Sequence, residues 1–310
     1  MIIHRAHKIK LTKLSSEQKT YLLRSAGASR FAYNWGLAEW KKRYEDYTQG
    51  KTKTDQCACF LHYRLVKSAF EENIMLDRVV LAGPDDKTSI ESLLDLSTFY
   101  SFVEWAVLYS PTREGTTRYP SKAWRHQFEE ACQGTTTKRA VHLCGQGVHD
   151  YVDGNLPASM LSAYQRIQIN VNLSTKKWQA PGMIESLVRR CKDTYYQTGV
   201  LANIVMQENH NNAPYLHKFE ELGTQLHILY DASGGHGKEL VQYAGPWKGH
   251  YTGYAGGIGP ENCEAHAKTI GAMYPQHYWL DMESRIRNEQ DEWDHTKVVD
   301  VLRKLKPFII

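Results

Sequence analysis

The stretch "LHILYDASGGHGK", residues 226–238, decides how the chain is read. An apolar run meets Asp231, and a cluster of glycines ends in Lys238. It can be a nucleotide-binding loop, a carboxylate beside a phosphate cradle, or a tight turn. The first fails on its own pattern: G-x-x-x-x-G-K-[ST] needs a hydroxyl residue after the lysine, and Glu239 stands there. Two readings remain. In one, a strand ends in a ligand-facing carboxylate and Gly234 and Gly235 let backbone N–H groups approach an anion. In the other, Asp231 only caps the glycine turn.

Working outward, apolar strand-like runs recur at residues 78–83, 102–110, 138–145, 166–172, 200–209, 226–233, 250–257 and 277–284. Between most of them lie helix-like stretches such as "SIESLLDLSTFY", "PGMIESLVRRCKDTYYQ" and "PENCEAHAKTIGAMY". Eight strands alternating with helices after Met75 predict an α/β fold, a (β/α)8 TIM barrel over residues 74–310. A doubly wound open sheet is the alternative, but its early G-x-G-x-x-G turn is missing.

In such a barrel the chemistry sits at the C-terminal strand ends. In chain order those ends offer Ala82 with Asp85, Tyr109 with Arg113, His142 with Cys144, and Asn170 with Asn172. Gln207 with Glu208, Asp231, Gly256 with Gly257, and Glu283 with Ser284 complete the ring. "YAGGIGPEN" repeats the glycine offer one strand after Asp231, so Gly256, Gly257 and Ser284 are candidate phosphate contacts, with Glu283 a candidate ligand contact beside them. Arg113 or Arg118 is a candidate clamp for phosphate or carboxylate. His142 is expected to be a packed histidine rather than a metal ligand, and neither a metal nor a cofactor is expected.

Residues 1–73 have a different texture. They hold 14 Lys/Arg against 7 Asp/Glu, a balance of +7. With a whole-chain charge of +4, the remainder is −3 (+4 minus +7). "HKIKLTKL" alternates as a short strand, "SSEQ" supplies a helix start, and Phe31, Trp35, Leu37 and Trp40 are spaced to share a helical face. A small, mostly helical basic segment is predicted. Lys8, Lys10, Arg30, Lys41, Lys42 and Arg43 are its candidate nucleic-acid contacts, since basic side chains displace counterions from phosphates.

The six cysteines are scattered, and Cys57-x-Cys59 has no second pair to complete a zinc site. Buried thiols are therefore expected. Apolar content of 42% is that of a soluble globular protein, and no apolar run approaches the ~20 residues that span a bilayer. The basic, broken N-terminus excludes a secretory signal, and a cytoplasmic protein without a membrane partner is expected.

Two resemblances follow. "SSEQKTYLLRSAGASRFAYNWGLAEWKKRYE", especially "RFAYNWGLA", resembles the N-terminus of the TnpB family of transposon-encoded, RNA-guided nucleases, over about residues 4–55. In that family this part contacts nucleic acid. The cleavage residues and cysteine zinc module have no counterpart after residue 60, so nuclease activity is not expected. "LYDASGGHGK", "YAGGIGPENC" and "WLDMESRIR", followed by "WDHTKVVDVLRKL", resemble the last three strands and closing helix of phosphoribosylanthranilate isomerase. "VVLAGPDDKTSIESLLDLS" and "SPTREGTTRYP" occupy the places of that family's opening strand and helix and of its second-strand loop.

The family opens a phosphorylated ribosylamine by an Amadori rearrangement, with a cysteine base and an aspartate acid. The resemblance implies that Asp231 is the general acid and the partner a small phosphorylated ligand. The base position falls on Ala82, which accepts no proton. A positioned acid or base contributes roughly 10²–10⁴-fold, so the standard isomerase reaction is expected to be severely impaired. Asp85, Cys144 and Glu208 are candidate substitute bases. Three roles stand side by side: an isomerase-like enzyme, a ligand sensor whose basic arm touches nucleic acid, and a chance transposon–gene fusion.

Overall fold

The structure, a computed structural model, describes residues 75–198, 203–231, 243–274 and 276–309. The chain divides between Val66 and Lys67, and every described residue belongs to the second unit. The basic segment, with Lys8, Lys10, Arg30, Lys41, Lys42 and Arg43, lies outside the described residues. So do Gly234 and Gly235.

Eight parallel strands close into a barrel in sequence order. They are β1 (Leu76–Ala82), β2 (Val103–Tyr109), β3 (Lys138–Cys144), β4 (Arg166–Asn170), β5 (Asn203–Glu208), β6 (Leu226–Asp231), β7 (Thr252–Ala255) and β8 (Tyr278–Met282). The circle closes where β1 pairs with β8, with Val80 opposite Asp281. This is a (β/α)8 barrel. The helices packed outside it are α1 (Ile90–Phe99), α2 (Lys122–Ala131), α3 (Gln146–Val152), α4 (Ala158–Ser162), α5 (Met183–Thr198), α6 (Cys263–Met273) and α7 (His295–Leu305). Between β5 and β6 a 3₁₀ segment, Ala213–Gln225, takes the place of an α-helix and kinks at Gly223 (φ 57°).

Helix starts follow local chemistry. The Ser89 hydroxyl accepts the Ser92 amide at the start of α1, Ser121 accepts Trp124 at α2, and the Asp294 carboxylate accepts Lys297 at α7. Each satisfies an amide that the helix leaves without an internal partner.

The strands are buried on both faces, which is why their sequences run apolar rather than alternating cleanly. Val79, Leu81, Val107, Leu143, Ile169, Met206 and Ile228 join the main core, which also takes in helix residues such as Leu93, Leu187 and Val301. The opposite side chains, Val80, Ala106, Ala140, Val205, Leu229 and Trp279, form a second cluster inside the barrel. Trp279 fits because Gly253 has no side chain.

One end of the barrel interior carries charge. The Arg166 guanidinium lies 4.3 Å from the Trp279 ring centre and donates from Nε to Glu104 at 2.8 Å; Arg78 donates to the other oxygen of Glu104. Glu104 is fully buried, so both its oxygens must be paired for the fold to tolerate it. These residues sit near the strand starts. The opposite end is open.

Candidate active site

The C-terminal strand ends surround a cavity of about 820 Å³. Arg113, Asp231, Gly256, Gly257, Glu283 and Ser284 all line it. Asp231, at the end of β6, is 4% exposed. Gly256 and Gly257 turn the chain out of β7 with φ of 123° and 58°, conformations that favour glycine and leave the backbone bare toward the cavity. Ser284 opens the short 3₁₀ turn after β8.

Arg113 lies on the loop after β2, its guanidinium 4.3 Å from the ring centre of Tyr119. It donates to the Tyr119 hydroxyl at 3.2 Å. Among the described residues no carboxylate lies within ion-pair distance of it, so its charge is available to an anionic group. Arg118 is committed differently. It donates to Asp291 and, at 2.6 Å, to Glu283, while its backbone N–H donates to Asp85. Those bonds hold Arg118 at φ 72°, a costly conformation for a long side chain. Of the two candidate clamps, Arg113 is the one without an acidic partner among the described residues.

The three candidate bases are placed very differently. Asp85 points away from the cavity, accepting from Arg287 at 2.8 Å; Arg287 also donates to the Gly83 carbonyl at 2.7 Å. Glu208 does not line the cavity, and burial raises its carboxyl above the usual range. Cys144 does line it, but burial pushes its thiol up, against thiolate formation. Ala82 is fully buried in the inner apolar cluster with Leu108 and Tyr119, and it does not line the cavity.

The floor holds side chains that sequence reasoning missed. Gln168 and Asp281 stand two residues before the strand-end residues Asn170 and Glu283, on the same inward side. Stepping back by the strand period of two finds them. His142, Gln168 and Asp281 are 2%, 2% and 7% exposed. His142 Nε2, Gln168 Oε1 and Asp281 Oδ2 have no hydrogen-bond partner among the described residues. Burial, with smaller contributions from Glu283, Glu104 and Asp231 and against the pull of Arg166, holds the Asp281 carboxyl well above the usual range. Burial and the Arg166 charge push His142 down to about 3. A neutral imidazole thus stands 3.9 Å from a carboxyl whose ionisation is disfavoured, too far for a direct bond.

Among the described residues no group of three His, Cys, Asp or Glu side chains is arranged to hold a metal ion. No described helix is long and apolar enough to cross a membrane.

These features define a (β/α)8 barrel with a polar cavity at the C-terminal ends of its strands. Residues 1–49 match the helix-turn-helix domain of the OrfB IS605 type. The barrel is similar to phosphoribosyl anthranilate isomerase from Thermus thermophilus, with 17% identity over 74% of this chain and 98% of that one, TM-score 0.48. A phosphoribosyl anthranilate isomerase in complex with reduced 1-(o-carboxyphenylamino)-1-deoxyribulose 5-phosphate gives 14% identity over 74% and 98%, TM-score 0.46. A GH113 β-1,4-mannanase gives 7% identity over 76% and 98%, TM-score 0.39. The likeness is one of fold. No curated protein matches the chain.

Proposed function

We propose that the barrel binds a phosphorylated sugar or related small anion at its C-terminal strand ends, with Asp231 as the general acid. The observation that carries this reading is the placement of Asp231 on one cavity with the Gly256–Gly257 turn, Ser284 and Arg113. The glycine turn and Ser284 receive the phosphate, and Arg113 receives a second anionic or polar group. The lack of a proton acceptor at Ala82 argues against the standard Amadori isomerisation.

The basic N-terminal segment is a second component of the proposal. Its +7 balance and its helix-turn-helix match favour contact with nucleic acid, without nuclease activity. Binding of DNA or RNA by the full chain that weakens with salt supports that contact; no binding at low salt removes it.

The test of the barrel is thermal denaturation of the full chain with sugar phosphates. At 100 times its dissociation constant a ligand stabilises the fold by ~2.7 kcal/mol. Asp231→Asn should keep phosphate binding and abolish any turnover found. Absence of a shift with every sugar phosphate, together with an unchanged Asp231→Asn protein, would sink the reading.

A further inference from the structure

We infer that the part of the ligand remote from its phosphate is polyhydroxylated rather than aromatic, and that it docks against the β4–β5 wall and the His142–Asp281 floor. This rests on the phosphate-binding reading above. It departs from the aryl group that the sequence resemblance would place in this cavity.

The wall is built from carboxamides. Gln168 and Asn170 on β4, Asn172 just beyond it, Gln207 on β5, and Asn209 and Asn211 after it all line the cavity. In the closed ring these strands stand well around from the β7–β8 turns that face the phosphate. A ligand anchored at the glycine turn therefore reaches them by extending across the cavity.

Their orientation is set by bonds that admit one assignment. The Ser174 amide donates to Asn172 Oδ1 at 3.0 Å, and the Asn211 and Asn212 amides donate to Asn209 Oδ1. A backbone N–H pairs only with a carbonyl oxygen, so the NH2 groups of Asn172 and Asn209 remain as donors. The floor supplies both kinds of partner: the Gln168 NH2 group donates to His142 Nδ1, which leaves Nε2–H of the neutral ring as a donor, while Gln168 Oε1 and Asp281 Oδ2 are oxygens that can accept. Orphaned polar atoms this deeply buried cost stability unless something in the cavity satisfies them.

A hydroxyl group fits this mixture because it donates and accepts at once. Two atoms 3.9 Å apart, each about 2.8 Å from one hydroxyl oxygen, subtend roughly 90° there, an angle a hydroxyl accommodates. Such a hydroxyl accepts from His142 Nε2–H and donates to Asp281 Oδ2. An aryl group would leave all of these atoms unpaired. Among the described lining residues the one hydrocarbon ring is Tyr119, and Arg113 already covers its face.

The experiment is calorimetric titration of the full chain with ribitol 5-phosphate, n-butyl phosphate, phenyl phosphate and inorganic phosphate. The polyol phosphate should bind about tenfold or more tightly than the butyl and phenyl esters, since sites built for hydroxyls reject analogues that lack them. Inorganic phosphate should compete with all three. Asn172→Ala, at an exposed position where folding is not at risk, should weaken the polyol phosphate by roughly three- to tenfold while leaving inorganic phosphate unchanged. Gln168→Leu should reduce the preference for the polyol in the same way. Equal or tighter binding of butyl or phenyl phosphate overturns the hydroxyl assignment and leaves the phosphate site standing. If none of the four compounds binds, both fall.

Discussion

Gly253 and Trp279 occupy one space: a Cβ built on Gly253 would fall 2.0 Å from the Trp279 indole. The two residues pair across neighbouring strands β7 and β8, so the missing side chain on one admits the ring on the other. The indole is fully buried and supports the Arg166 guanidinium on its face.

The first prediction follows directly. Gly253→Ala forces the indole or the strand to move and should destabilise the barrel at the upper end of roughly 1–3 kcal/mol. Urea denaturation measures it. The double variant Gly253→Ala/Trp279→Leu should recover part of the loss relative to Trp279→Leu alone. Purely additive effects would show that the contact does not carry the cost.

Arg287 joins the loops after β1 and β8 through the Gly83 carbonyl, the Asp85 carboxylate and the Asp291 carbonyl. Its side chain is 1% exposed and that of Asp85 is 7% exposed. Removing one partner strands the other charge, so Arg287→Ala should cost roughly 3–5 kcal/mol. Arg287→Lys should recover little of it, because an ammonium cannot reproduce a planar three-way fork. A lysine variant as stable as the wild type would contradict this geometry.

The strands were legible because they are apolar runs of strand length separated by amphipathic helices. Seven of the eight predicted runs contain the strand found there, and the first, 78–83, overlaps β1, which starts two residues earlier at Leu76. Many of the strand-end residues were legible for the same reason: once β6 ends at Asp231, the cavity faces that residue and counterparts such as Cys144, Asn170, Gln207 and Glu283, though not Ala82, Asp85, Tyr109 or Glu208. Gln168, Asp281 and Tyr119 were not. The first two lie one strand period below the ends, where polar residues look like strand interior. Tyr119 reaches the cavity only because its loop folds back over β2. The engagement of Asp85 and Arg118 was equally hidden, since their partners Arg287 and Asp291 are about 200 and 170 residues away along the chain.

Asp281 makes the fold sensitive to pH in a defined direction. In the unfolded chain an aspartate loses its proton near pH 3.9. In the barrel the carboxyl retains it to higher pH, so the folded state binds more protons between those two values. Stability therefore falls as pH rises above about 4 and goes on falling up to the folded-state value. Asp281→Asn cannot titrate and removes that slope. The variant should be more stable than the wild type at pH 7, with the margin shrinking to about nothing at pH 3. Melting temperatures of both proteins across this range measure it. A gain that does not grow with pH would mean that burial of the carboxyl is not its source.

The last prediction concerns Ala82, where the sequence resemblance places a cysteine base. Ala82 is fully buried with Leu108 and Tyr119 and does not line the cavity. A thiol introduced there would meet apolar side chains, which disfavour the thiolate that a base requires. Ala82→Cys by itself should therefore give no Amadori isomerisation of a phosphoribosyl arylamine. Its thiol should also react with a water-soluble maleimide no faster than the wild-type background. Tyr119→Ala, combined with Ala82→Cys, takes away one large side chain from that cluster and should raise the labelling rate well above either single variant. Fast labelling of Ala82→Cys alone would place the position in contact with the cavity. The loss of the base would then be a matter of one side chain, whereas the packing of Tyr119 makes it a matter of two.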